Sequence, residues 1–330
     1  MYSLFSQGGI SVLYYLPAAL TTGVILENGG TDAPNSVSSC VASGVLTPKR
    51  AILLASICNF VGAVLSGLFF PKVAQTVSEL SGLSNSKDPL TALTAAMFSV
   101  LIWTGAAWIF SLPTSESHAL LAAMGGAAAA TGGRVGIGTW LAMIAVAAAS
   151  VAAGWLGGML FEKLLAKTAP NQKHFGKIQI SLAAMSALLH GAQDGQKFMC
   201  VLAFCLFSSQ GEGLPISVVL WCSFALALGT ALCGKRMLGL SRNLGIDNRL
   251  RGLASDAGGT AVLLIATLLG LPVSTTHVKT ASAAGAGEKS KTRLKTAIRL
   301  CAAWILTFPA CALIANGLIL LGEIFFNLHK

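Results

Sequence analysis

Gly29-Gly30-Thr31-Asp32-Ala33-Pro34-Asn35 and Gly191-Ala192-Gln193-Asp194-Gly195-Gln196-Lys197 are two copies of one seven-residue pattern, each following a long apolar run. An acidic residue inside a membrane span is expensive and by default marks a functional site. The two aspartates stand 162 residues apart. Their spacing predicts a duplicated membrane core with an ion site in each half.

Composition sets the class. Only 10% of the 330 residues are charged and 54% are hydrophobic, whereas soluble domains carry about 25% charged residues. Mean hydropathy is +0.73. Apolar runs of about 20 residues match the thickness of a bilayer. The ~10-residue alternation of a membrane β-barrel is missing. The net charge of +10 does not indicate nucleic acid, because the basic residues lie in loops between apolar runs without interleaved aromatics. Eight cysteines occur without a CxxC pair, which suits small buried side chains better than a disulfide or metal framework.

The repeat extends beyond the aspartates. Ser111-Leu112-Pro113-Thr114-Ser115-Glu116-Ser117-His118 aligns with Gly270-Leu271-Pro272-Val273-Ser274-Thr275-Thr276-His277 at an offset of 159. Ser56, Gly62 and Gly67 align with Ser223, Gly229 and Gly234 at 167. The chain therefore divides into membrane repeats 1–165 and 176–330 within one transmembrane domain. Each repeat reads as a first apolar run (10–26; 178–189) broken at the Asp motif and a shorter run (36–46; 198–208). A full span (51–70; 214–233) and a second span (89–110; 254–269) follow. Last come a short small-residue stretch (119–133; 278–287) and a final span (136–161; 296–321).

Charge predicts opposite orientation of the two repeats. Loops 163–177, 234–253 and 279–299 carry four, five and six Lys/Arg, while 1–9, 71–88 and 119–135 carry none, two and one. Basic loops stay cytoplasmic. The expectation is an all-α polytopic protein of inverted-topology repeats, with about ten crossings, broken helices, re-entrant segments and both termini outside. The small-residue stretches are too short for independent spans, and such backbone survives only inside protein or beside a water-filled cavity.

The motifs suggest chemistry. Asp32, Asn35 and Ser36 offer hard oxygens suited to Na⁺, as do Asp194 and Gln196; H⁺ is the other candidate. Lys197 has a competing structural role as the partner of Asp194. After Pro113 and Pro272, the hydroxyls of Ser115 and Ser117 and of Ser274, Thr275 and Thr276 fall at helix starts. There they cap the helices or cradle one tetrahedral oxyanion. Glu116 has Thr275 as its counterpart, and a carboxylate acceptor favours an oxyanion that keeps an O–H, such as HPO₄²⁻, over sulfate. Gln193 adds an amide beside Asp194 and counts among the oxyanion ligands. His118 and His277 either serve the substrate and its gating or hold their turns. Asp256 is expected to pair at the interface with Arg249 and Arg251, and Lys279 to belong to the basic cytoplasmic edge.

These four motifs, in this order, resemble those of the PiT-type inorganic phosphate transporters, over nearly the whole chain. Gly270–His277 is an intact copy of that family's later signature. His190–Lys197 is close to its second Asp signature. Thr31, Gln193, Pro34, Ser111 and Glu116 depart from its pattern. The resemblance implies a symporter in the cytoplasmic membrane that imports phosphate with Na⁺ or H⁺, commonly as a homodimer. It implies no cofactor, no metal beyond Na⁺, and Asp32, Asn35, Asp194 and the hydroxyl cradles as the core site. Two readings keep the fold and change the cargo: a sulfate permease and a proton-driven metal-phosphate symporter. An enzyme is not expected, because no nucleophile turn of the Gly-x-Ser-x-Gly kind is present.

Overall fold

The computed structural model describes residues 12–83, 86–110, 114–133, 135–168, 174–207, 213–288 and 291–328. Ser111, Leu112 and Pro113 of the third motif, and Arg134, the one basic residue of 119–135, lie outside them. The described residues form helices α1 (Val12–Thr31), α2 (Ser38–Ala42), α3 (Pro48–Phe69), α4 (Lys72–Leu80), α5 (Pro89–Ile109), α6 (Glu116–Ala130) and α7 (Ile137–Thr168). They continue as α8 (Phe175–Phe207), α9 (Ile216–Cys233), α10 (Leu240–Asn243), α11 (Arg249–Leu269), α12 (Thr275–Ala286) and α13 (Lys291–Leu328).

Local chemistry sets the boundaries. Pro48 and Pro89 occupy first-turn positions, where a missing N–H costs nothing. Asp88 and Asn248 cap α5 and α11 by accepting from the N–H groups of Thr91 and Arg251. Gly270 ends α11 with φ of 70°, a left-handed conformation that glycine adopts without strain.

The two Asp motifs fold differently. The first breaks as expected: α1 stops at Thr31, and Ala33–Ser36 form a 3-10 turn ahead of α2. Pro34 lacks an N–H and disfavours helical backbone at Ala33. The break expected at Gly195 does not form. Instead α8 runs through the second motif as one 33-residue helix. There is no proline there, and one glycine costs a helix only about 1 kcal/mol.

Six helices among the described residues are long and apolar enough to cross a membrane: α3, α5, α7, α9 extended to Asn243, α11 and α13. They present Leu53, Ile102, Leu141, Phe224, Ile265 and Leu313 outward, a surface suited to lipid rather than water. At 1.5 Å per residue, α6 and α12 reach only ~22 and ~18 Å, short of the ~30 Å hydrocarbon core. Both start inside the bundle, and α6 is buried from Glu116 to Ala128.

The halves interlock. Helix α3 packs on α8 and α1 on α9; α6 packs on α13 and α12 on α7. The crossings are so close that only glycine fits. A Cβ on Gly62 would strike the Leu188 carbonyl, and one on Gly229 would strike the Leu26 carbonyl. Gly29 and Gly191 complete the same two crossings against the backbones of α9 and α3.

A side chain at either crossing forces two backbones apart. Gly62→Leu and Gly229→Leu should each cost about 3 kcal/mol, the upper range of overpacking. Gly138→Leu, with open space around it, should cost almost nothing. Thermal unfolding in detergent checks this; equal midpoints for the three variants would refute the close-crossing account.

Candidate functional site

The N-termini of α6 and α12 converge on the two Asp motifs. Ser115 Oγ accepts the N–H of His118 at 3.2 Å, and Ser274 Oγ accepts that of His277 at 3.2 Å. These two hydroxyls are therefore helix caps. The following residues reach the aspartates. Ser117 and Thr275 donate to Asp194 Oδ1 and Oδ2 at 3.4 and 3.3 Å. Thr276 and Glu116 lie beside Asp32 at the starts of the two helices.

Asp194 is the hub, buried in the middle of α8. Lys197 Nζ, one turn on, lies 2.7 Å from Oδ1 and also donates to Ser117 Oγ and the Val273 carbonyl, both at 2.6 Å. His190 Nε2, one turn back, is 3.1 Å from Oδ2, and its Nδ1 meets Asn59 Oδ1 at 2.8 Å. Asn28 donates to Oδ2 from α1 at 3.3 Å.

Around Asp32, Asn35 donates to Thr276 Oγ1 at 3.1 Å. Thr31 donates to Glu116 Oε1 at 2.5 Å. Glu116 Oε2 has no hydrogen-bond partner among the described residues. Glu27 stands close by, accepting from Thr104 at 2.6 Å. The buried centre thus holds the carboxyl groups of Asp32, Glu116 and Asp194 beside the ammonium of Lys197, and Lys279, paired with Asp256, lines the same space. The lining of Asp32, Asn35, Ser36, His190 and Thr275 closes too tightly here to admit a water molecule.

Several sequence-predicted ligands are not brought into this cluster. Gln196 accepts the N–H groups of Val73 and Ala74 at 3.0 and 3.2 Å, capping α4. Gln193 donates to Thr267 Oγ1 and the Leu271 carbonyl, both at 3.1 Å, and holds the turn into α12. Ser36 Oγ bonds within its own turn to Ala33 at 2.6 Å, although the residue lines the centre. The two motif histidines meet edge to face with ring centroids 4.7 Å apart. Phe308 lies 4.9 Å from His118 and Trp304 3.8 Å from His277, both from α13.

Sequence reasoning missed Glu27, Asn28, Asn59 and His190. A signal existed for two of them. Asn28 and His190 each precede their aspartate by four residues, hence share its helix face.

The expectation for Asp256 and Lys279 is corrected. Asp256 is buried and pairs with Lys279 Nζ at 2.6 Å, not with Arg249 or Arg251. Ser39 donates to Asp256 at 2.6 Å and Gln179 at 3.1 Å. Arg251 instead pairs with Asp247 and Glu288 at the exposed edge. Asp256 sits two turns inside α11, so its nearest buried ammonium comes across from α12.

Comparison with known proteins gives a consistent picture. The model of the phosphate transporter family matches residues 28–315. A probable low-affinity inorganic phosphate transporter of Bacillus subtilis (strain 168) is 31% identical over 307 residues, covering 86% of this chain and 90% of that protein. One of Rhizobium meliloti (strain 1021) is 32% identical over 305 residues, covering 87% and 90%. A solved structure titled "The sodium-dependent phosphate transporter" superposes with a TM-score of 0.82 at 17% identity, over 95% of this chain and all of that one. At that identity it speaks for the fold.

Breaking a buried ion pair strands a charge, at about 3–5 kcal/mol, while removing both charges is far cheaper. Lys279→Met should therefore destabilise the protein by that amount, and adding Asp256→Asn should recover most of it. Thermal unfolding of the two variants measures the difference. A single variant as stable as the parent would mean the pair contributes nothing.

Proposed function

The chain belongs to the phosphate transporter family, a family of transporters rather than enzymes, and on that premise we propose a secondary active symporter that imports inorganic phosphate with Na⁺ or H⁺. The observation that carries this reading is the buried centre itself. Three carboxyl groups there share the ammonium of Lys197 beside the separately matched Asp256–Lys279 pair, at the N-termini of two short helices. Helix N-termini and the hydroxyls beside them suit an anion. The surplus of carboxylates repels one. A dianion therefore enters this cluster well only after a cation or proton has joined it. That is the linkage that makes transport coupled.

Asp32, Asn35 and Thr276 supply the carboxylate, amide and hydroxyl oxygens that a small hard cation takes. Proton coupling is the second reading, favoured by the unpartnered Glu116 Oε2. In our reading 1–165 and 176–330 are inverted repeats making ten crossings of the cell membrane, with both termini outside. The exchange of packing partners between the halves supports it, since α6 lies on α13 as α12 lies on α7. Movement of one repeat bundle against the other then gives alternating access, with the paired histidines at the seam. The protein works as a homodimer by the same family resemblance.

Purified protein in proteoliposomes should accumulate radiolabelled phosphate when an inward Na⁺ or proton gradient is imposed. Asp32→Asn should abolish that coupled uptake while keeping its thermal midpoint; uptake at the parent rate would remove Asp32 from the coupling site. Glu116→Gln removes the acceptor for the substrate O–H. Sulfate should then compete about tenfold better, equivalent to ~1.4 kcal/mol, as read from inhibition of phosphate uptake. Unchanged inhibition would dismiss Glu116 as the selectivity group.

A further inference from the structure

Lys197 heads the large side chains that are fully buried in this protein. Its three ammonium protons meet three oxygens from three places. They are the Asp194 carboxylate on α8 at 2.7 Å, the Ser117 hydroxyl on α6 at 2.6 Å and the Val273 carbonyl ahead of α12 at 2.6 Å. Carboxylate, hydroxyl and backbone carbonyl form the donor set that a bare hard cation selects. An ammonium has three donors and no acceptor, so this cage satisfies it completely.

The carboxylate is saturated as well. Asp194 Oδ1 takes Lys197 and Ser117, while Oδ2 takes Asn28 and Thr275 and faces His190. A carboxylate offers about four lone-pair sites, which leaves none for a mobile ion. The first half differs. At the repeat offset of 162, Asn35 stands where Lys197 stands. Its neutral amide bonds to Thr276 and brings no charge to Asp32.

We propose that Lys197 is a tethered cation: its ammonium fills the cation position of the second half, so that only the Asp32 half takes a mobile coupling ion. The inference rests on the symport reading and replaces the expected second ion site at Asp194 and Gln196. It makes Lys197 the residue that sets how many cations accompany each phosphate.

The test counts ions on the full chain. Equilibrium ²²Na⁺ binding to detergent-purified Lys197→Ala should exceed that of the parent by about one ion per chain, because the cage is opened and Asp194 left unmatched. The Na⁺ dependence of its phosphate uptake should steepen, with the Hill coefficient rising by about one. Lys197→Gln fills the cage without charge; it should bind no additional Na⁺ and lose uptake. An unchanged Na⁺ count in Lys197→Ala overturns the proposal and leaves Lys197 as packing. Should Lys197→Ala not fold, the parent decides. A ²²Na⁺ to ³²P flux ratio of about one or below agrees, and about two or above overturns it. Sodium binding needs no phosphate movement. An additional Na⁺ in Lys197→Ala beside a parent that moves no phosphate would therefore refute the symport reading and keep the tethered cation.

Discussion

A carboxylate removed from water must be matched, and the arrangement of this bundle follows from matching two of them. Asp194 and Asp256 are each held by a lysine ammonium at 2.7 and 2.6 Å and by polar side chains from other helices. Left unpaired, either charge would cost several kcal/mol. The partners from other helices come from α1, α6 and α12 for Asp194, and from α2, α8 and α12 for Asp256. Apolar packing is non-directional. The carboxylates supply the direction, fixing which turn of α6 faces α8 and where α2 rests on α11.

The short helices answer a second requirement. A helix that begins inside the bundle exposes N–H groups that have no partner in the helix itself. In α6 and α12 a serine cap takes one, the N–H of the histidine three residues on. Full-length spans would carry these N–H groups to the membrane surface, where water would satisfy them. Starting the helices at depth turns an ordinary end effect into an anion-attracting centre. Small residues make this possible, because a Cβ on Gly126 would meet the backbone at Ala312 and one on Gly285 the backbone at Trp155.

Much of this was legible in the sequence because membrane folding leaves few choices. Span positions, the short small-residue stretches and the break at Pro34 came from hydropathy and backbone chemistry that act locally. The meeting of the two helix starts, seen in His118 against His277, followed from the repeat; the bonds of Ser117 and Thr275 to Asp194 did not. What was not legible depends on which face of a helix a polar residue takes. Gln193 and Gln196 flank Asp194 in sequence yet point to the turn before α12 and to the start of α4, since residues one and two apart on a helix do not share a face. Asp256 and Lys279 lie 23 residues apart on different helices, and no local rule joins them. Glu27 carried no motif at all.

The difference between the two Asp motifs is a difference in what each must hold. A lysine reaches an aspartate three residues before it only on an intact helix, where the two side chains stack on one face. Breaking α8 at Gly195 would swing Lys197 away from Asp194 and strand both charges. The regular helix is therefore a condition of the tethered ammonium. In the first half the partner position holds Asn35, which carries no charge to lose, and Pro34 opens the backbone beside Asp32. Irregular backbone at membrane depth persists where its carbonyls and amides have something to bind. Two copies of one motif thus fold as a helix and as a break: one holds a lysine ammonium against its aspartate, and the other has an amide in that place and a proline beside it.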